Sequence, residues 1–318
     1  MSEENKGLIA TCTLSAINWG KIREPSDFEI PCQLAVRGLN EILDYQNYPV
    51  KSAERMTLFY RPLGIGIINL AYWMTREGIS YQNVDAAGLQ KIHEYAEAWS
   101  YYLLKASIDV AKEKGPCPGY EDTKYSLGLL PIDTYKKEVD GLVKPKYEMD
   151  WKALRGDLAK YGIRNSTLMA CMPAETSAAL SNSTNGVEPP RALISIKQSK
   201  DGVLKQVVPE FRRLKNKYDL LWDQKTPHGY LKIMAVLQKF IDQSISVNTS
   251  YNPKFFPEEK ITMSGMINDL LLCYKLGIKT LYYCNTNDGA GEIDVHHKVY
   301  DSEPESQDDQ DSCAACKI

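Results

Sequence analysis

The last six residues, Cys313-Ala-Ala-Cys-Lys-Ile318, hold two thiols separated by two residues. Such a pair can close a disulfide and exchange it with a partner by thiolate attack. The run before it, 301 to 311, contains Asp301, Glu303, Glu305, Asp308, Asp309 and Asp311 and almost nothing apolar, and it reads as a disordered acidic linker. A rigid structural role is hard to reconcile with thiols on such an arm, and an incidental pair is the plain alternative. Acids flank the two thiols, so neither is an obviously activated nucleophile.

Cys12 is the second thiol of interest. It sits in an apolar run, where a cysteine is ordinarily a core residue. Tyr282-Tyr283 ends a predicted strand. Adjacent strand side chains point to opposite faces, so the plain reading puts one ring in the core and one at the surface. Ala174-Glu-Thr-Ser177 is a polar turn with two hydroxyls and free backbone N–H groups. If a helix starts there, its N-terminus suits phosphate, although an ordinary helix cap has the same composition. Gly64-Ile-Gly66 lacks the third glycine of a dinucleotide fingerprint and is discounted. His296-His297 has no paired cysteine motif nearby, so no metal site is assigned.

The elements that must position these groups are strands and helices in alternation. Residues 7–16 read as a buried strand carrying Cys12. Asp27–Tyr45 reads as an amphipathic helix with Pro31 in its first turn and Ile30, Leu34, Leu39, Ile42 and Leu43 near helical spacing. Leu63–Met74 is apolar and fits either strand or buried helix. The spacing predicts a helix over 86–114, with Ile92, Tyr95, Trp99, Leu103, Ala106 and Val110 on one face and Gly115-Pro116 as its end. Further helices are expected over 150–161, 230–243 and 263–276. Strands are expected over 166–172, 192–196 and 279–283. This alternation indicates an α/β barrel or open sheet.

Composition excludes several classes. A net charge of −3 with no basic stripe gives no footprint for nucleic acid. No run approaches the length of a membrane span, and the polar N-terminus is no signal peptide. The Asn-x-Ser/Thr triplets at Asn165, Asn182 and Asn248 are then chance matches, and a cytoplasmic location is expected. Eight cysteines, six of them scattered, do not suggest a secreted disulfide framework.

Several runs together carry a resemblance. They are Cys12-Thr-Leu-Ser-Ala-Ile-Asn18, Leu63-Gly-Ile-Gly-Ile-Ile-Asn69, Leu130-Pro-Ile-Asp-Thr-Tyr-Lys136 and Leu168 to Ala178. They continue with Ser181 to Arg191, Phe240 to Ser246, Lys279-Thr-Leu-Tyr-Tyr283 and the terminal Cys-x-x-Cys-Lys-Ile. In this order they resemble the large subunit of class Ia ribonucleotide reductase of the bacterial and phage kind, from about Gly7 to Ile318. The resemblance implies the C-terminal half of a ten-stranded α/β barrel over 1–285 and a flexible acidic tail with the redox cysteines over 286–318. It implies reduction of ribonucleoside diphosphates by radical chemistry.

It gives Cys12 the role of one of two active-site thiols. It gives Glu175, Thr176 and Ser177 the substrate diphosphate, with Ala174 standing where a serine is common. Tyr282 and Tyr283 would relay a radical from the di-iron/tyrosyl small subunit. Cys313 and Cys316 would re-reduce the active-site disulfide and in turn be reduced by thioredoxin or glutaredoxin. No cofactor is expected on this chain. Met263–Leu276 is a candidate wall for docking of the small subunit's tail.

The family's Asn-x-Cys-x-Glu loop, which carries the radical cysteine, has no counterpart in these residues. The chain alone is therefore expected to be inactive. A split gene, with a separate N-terminal polypeptide completing the barrel, is the favoured expectation, and a truncated fragment is the other. A catalytically inactive remnant that binds the small subunit or thioredoxin is the competing function.

Overall fold

The computed structural model describes residues 7–199 and 202–287. Strand β1 (Thr13–Asn18) is followed by α1 (Glu29–Tyr45) and α2 (Lys51–Tyr60), which lead to β2 (Leu63–Ile68). Then α3 (Leu70–Glu77), the long α4 (Ala86–Lys114), the single turn α5 (Pro131–Thr134) and α6 (Trp151–Tyr161) lead to an extended stretch, 167–171. Beyond it come α7 (Glu175–Leu180), an antiparallel hairpin of β3 (Ile194–Ser199) and β4 (Gly202–Val207), the single turn α8 (Phe211–Leu214), and α9 (His228–Gln238). The described chain closes with β5 (Val247–Tyr251), α10 (Met263–Leu276) and β6 (Leu281–Thr286).

Hydrogen bonds join five of these stretches into one parallel row. β1 pairs with β2 from Thr13 opposite Leu63 to Asn18 opposite Ile68. On the far side of β2, the Ile65 N–H donates to the Leu168 carbonyl at 2.7 Å, and the Ala170 N–H donates back to Ile65 at 3.3 Å. The 167–171 stretch then meets the approach to β5. The Cys171 N–H donates to Ser244 at 3.1 Å and the Ser246 N–H to Cys171 at 2.9 Å. β5 in turn pairs in parallel with β6. Parallel neighbours need long crossovers, and helices fill every one of them here. The outer edges of β1 and β6 have no strand partner among the described residues. The row is an open half of a barrel.

The core lies between the row and its helices. α4 is capped by Asp85, whose carboxylate accepts from the Gly88 N–H at 2.7 Å, and it ends at Gly115 with φ +81°. Its predicted apolar face, from Ile92 to Val110, is buried in full. Around it, Trp19 meets Phe28 edge-on at 5.3 Å and Trp73 at 5.4 Å, and Trp73 meets Tyr95 at 4.7 Å.

His93, also on α4, is fully buried between Tyr147 and Phe240, and neither ring nitrogen has a hydrogen-bond partner. Burial and the nearby Lys239 charge lower its pKa from 6.5 to about 4. The unfolded chain therefore takes up this proton first on acidification. Stability from neutral His93 is whole above about pH 6.5 and drains as pH falls toward about 4. The loss is on the order of 3 kcal/mol. A His93→Phe variant is expected to lose stability less steeply than wild type between those pH values in urea melts. Parallel curves would contradict this.

The structure corrects several expectations. The strand expected over 7–16 starts only at Thr13, so Cys12 precedes it, and the expected stretch is not buried: Leu8, Ile9, Cys12 and Leu14 are all exposed. The cause is a single strand neighbour, which leaves the other edge of β1 open. The helix expected from Asp27 begins at Glu29, after a 3-10 turn over Pro25–Phe28. It buries Cys32, Val36, Leu39 and Leu43, while Ile30 and Leu34 are 71% and 67% exposed. Leu63–Met74 divides into β2 and the start of α3, with the break at Asn69 in the left-handed region. α9 ends at Gln238 rather than 243, because the chain turns there to bring Asp242 onto the 167–171 stretch. The stretch expected as a strand over 166–172 is extended but makes only isolated bridges.

Candidate active site

Cys12 stands just before β1, with its sulfur over Gly64 of β2. A Cβ at Gly64 would lie 2.6 Å from that sulfur and 2.7 Å from Leu14 Cδ2. The glycine of the discounted Gly-Ile-Gly run therefore makes room for the thiol. The Gln243 side-chain oxygen is 4.0 Å from the sulfur and can accept its S–H. The Gln243 amide nitrogen donates to the Leu63 carbonyl at 2.8 Å, which fixes which end of the amide faces the thiol. Cys12 is exposed, yet the atoms packed around its sulfur desolvate it and, with the Asp242 carboxylate, raise its pKa above the ordinary value, so the thiol form is favoured.

Asp242 is held by three donors: the Tyr125 hydroxyl at 2.7 Å, and the Leu168 and Met169 N–H groups at 2.7 and 2.9 Å. Burial raises its pKa against these bonds. A Gly64→Ala substitution is expected to cost about 1–3 kcal/mol by overpacking and to change the rate at which Cys12 is alkylated. An unchanged melting curve and alkylation rate would contradict the packing described.

Tyr282 and Tyr283 lie on β6 with ring centroids 4.2 Å apart at 56°. Both are more than half exposed. They do not divide between core and surface, and the register explains why. Val247 faces Leu281, but Thr249 faces Cys284, so β6 spends one more residue than β5 over the same span. A bulge of this kind interrupts the alternation of side chains. The neighbouring phenol pushes the Tyr283 hydroxyl pKa up.

A helix does start after Ala174. α7 opens at Glu175, and Glu175, Thr176 and Ser177 are exposed on its first turn. The Ala174 N–H donates to the Asn185 side chain at 3.1 Å. The loop after α7 is tied to the C-terminal ends of β1 and β2. Asn69 donates to Asn18 at 3.0 Å, Asn18 donates to Ser183 at 3.0 Å, and Asn69 accepts the Thr184 N–H at 3.0 Å.

Cys12, just before β1, and the tyrosine pair, on β6, thus stand at the two sides of the row, with three stretches between β1 and β6. Sequence reasoning missed Gln243, Asp242, Asn18 and Asn69 as supports of the site. All four fall inside the runs that carried the resemblance, but nothing in their spacing marked them. Cys313, Cys316 and His296-His297 lie outside the described residues, as does the tail from 288 on. α10 shows an apolar outer face of Met263, Ile267, Leu270, Leu271 and Tyr274. Among the described residues no helix is long and apolar enough to cross a membrane.

The model of the family described as "Ribonucleotide reductase, barrel domain" matches residues 1–284. The chain belongs to the ribonucleotide reductase family. Its reductase relatives agree on the subunit. The ribonucleoside-diphosphate reductase subunit alpha of Buchnera aphidicola (from Schizaphis graminum) is 50% identical over 311 residues, covering 98% of this chain and 40% of the relative. That of Enterobacteria phage T4 is 46% identical over 320 residues, with 98% and 40% covered. Subunit alpha of reductase 1 of Escherichia coli K12 is 50% identical over 276 residues, with 87% and 35% covered. This chain therefore spans about 40% of the length of such relatives. It corresponds to the C-terminal part of the class Ia alpha subunit, bacterial and phage type.

Proposed function

We propose that this chain is the C-terminal portion of a ribonucleoside-diphosphate reductase large subunit that works once an N-terminal portion completes it. The observation that carries the reading is a chain matching the reductase barrel domain with Cys12 at the start of one outer strand and a touching tyrosine pair on the other. Closing the row with further strands would turn both outer strands toward one lumen.

In that lumen Cys12 acts with a second thiol from the other portion. The two sulfurs give up two electrons and form a disulfide as the ribose 2′-hydroxyl leaves as water. Glu175, Thr176 and Ser177, with the backbone at Ala174, hold the substrate diphosphate. Tyr282 and Tyr283 pass a radical inward from the di-iron/tyrosyl small subunit in short hops. The small subunit's tail docks on the apolar face of α10. Cys313 and Cys316 return the active-site disulfide to thiols and are themselves reduced by thioredoxin or glutaredoxin. The chain works in the cytoplasm and is inactive alone, because the radical cysteine and its loop come from the other portion.

The test is capture of the tagged chain from its native host, with mass spectrometry of what comes with it and an assay of diphosphate reduction. A co-purifying polypeptide with the Asn-x-Cys-x-Glu motif and an active complex are expected. Recovery of the chain alone, or with the small subunit only and no activity, would replace this reading with that of a binding remnant.

A further inference from the structure

We propose that Asn248 is a positioning residue for the tyrosine pair: its side-chain amide fixes the bulge in β6 that brings the two rings together, and Glu188 anchors that amide. The proposal rests on the relay reading of Tyr282 and Tyr283 only for its effect on turnover. Its structural content stands apart from it.

The register supplies the first argument. Leu281 is level with Val247, so alternation puts Tyr282 on the same face as Asn248, the next residue of β5. Cys284 is level with Thr249, so counting backwards puts Tyr283 on that face as well. A regular strand would send the two rings to opposite sides. The bulge alone makes them neighbours.

A bulge leaves a backbone group without its ladder partner, and an unsatisfied N–H is costly. Here the Tyr283 N–H donates to Asn248 Oδ1 at 2.9 Å. The other end of the same amide, Nδ2, donates to Glu188 Oε1 at 2.6 Å. A carboxylate only accepts, so Glu188 dictates that the nitrogen points its way and the oxygen points at Tyr283. Two residues further along, Asn285 Nδ2 approaches Ser250 Oγ at 3.4 Å on the same face, where regular pairing has resumed. The side-chain bond therefore covers the interrupted step of the ladder and nothing beyond it.

The test uses the full chain with fluorotyrosine at positions 282 and 283, read by fluorine cross-relaxation between the rings and by hydrogen exchange of the Tyr283 amide. Asn248→Ala is expected to abolish the cross-relaxation and to speed exchange of that amide about tenfold, the equivalent of one hydrogen bond. Asn248→Asp alone sets two carboxyl groups against each other and is expected to do the same. Adding Glu188→Gln to Asn248→Asp reverses the polarity of the pair, so that an amide now donates to a carboxylate, and is expected to restore both signals. This rescue separates positioning from general damage to the fold. Unchanged cross-relaxation and exchange in Asn248→Ala, or no rescue in the double variant, would overturn the proposal. In the completed complex, Asn248→Ala is expected to lower turnover as it separates the rings. Separated rings with turnover intact would leave the positioning role standing and sink the relay reading instead.

Discussion

Cys12→Ser in the completed complex is expected to bring multiple-turnover reduction to background, a loss of more than about 10³-fold. Serine fits the space over Gly64 and keeps a hydrogen-bonding group toward Gln243, so packing changes little. What it removes is the sulfur's capacity to give up an electron and form a disulfide. Chromatographic assay of the deoxynucleoside product under steady-state conditions reads this directly. Assembly with the other portion and substrate affinity should be unaffected. Turnover within tenfold of wild type would mean that Cys12 is a spectator at the edge of β1.

Tyr282→Phe and Tyr283→Phe should each abolish turnover to a similar degree while leaving the fold alone. Both rings are more than half exposed, and substitutions at such positions ordinarily change stability by no more than about 0.5 kcal/mol. Phenylalanine keeps the ring and its packing on the neighbour but has no phenolic proton to release, so it cannot carry a hop. The measurement is product formation alongside the urea midpoint of each variant. A variant that keeps both its midpoint and its turnover would remove that tyrosine from the path.

The fold was legible where local signals agreed. α4 was readable end to end from its apolar spacing and its Gly115 stop, and the structure adds the Asp85 cap. α10 matched its expected bounds, between a Thr262 cap and Gly277 in the left-handed region. The face of α1 was not readable. Ile30 and Leu34 fit the apolar period, yet the helix packs through Cys32, Val36 and Leu39, and only the neighbouring elements decide which of two apolar stripes is covered. α2 and β5 went unassigned: they are short, ten and five residues, and neither is set off by the long apolar face that marked α4. At the site, the residue types of Cys12 and the tyrosine pair were evident, but their geometry was not. The sulfur's seat over Gly64 depends on β1 and β2 lying side by side, forty-odd residues of intervening chain notwithstanding. The closeness of Tyr282 and Tyr283 depends on a one-residue slip between β5 and β6. A period of two, applied to the sequence, separates the rings, and nothing in Tyr-Tyr itself announces a bulge. The partners of the bulge, Asn248 and Glu188, are ordinary polar residues until the register is known.

The most direct test of the account is reduction of a radiolabelled ribonucleoside diphosphate by a mixture of this chain, the polypeptide carrying the Asn-x-Cys-x-Glu motif, the small subunit and thioredoxin. Each component is left out in turn. Deoxynucleoside diphosphate is predicted only when all are present, and leaving out this chain should abolish it. Product formed equally well without this chain, or none with every component present and assembled, would contradict the claim that it supplies half of a reductase active site.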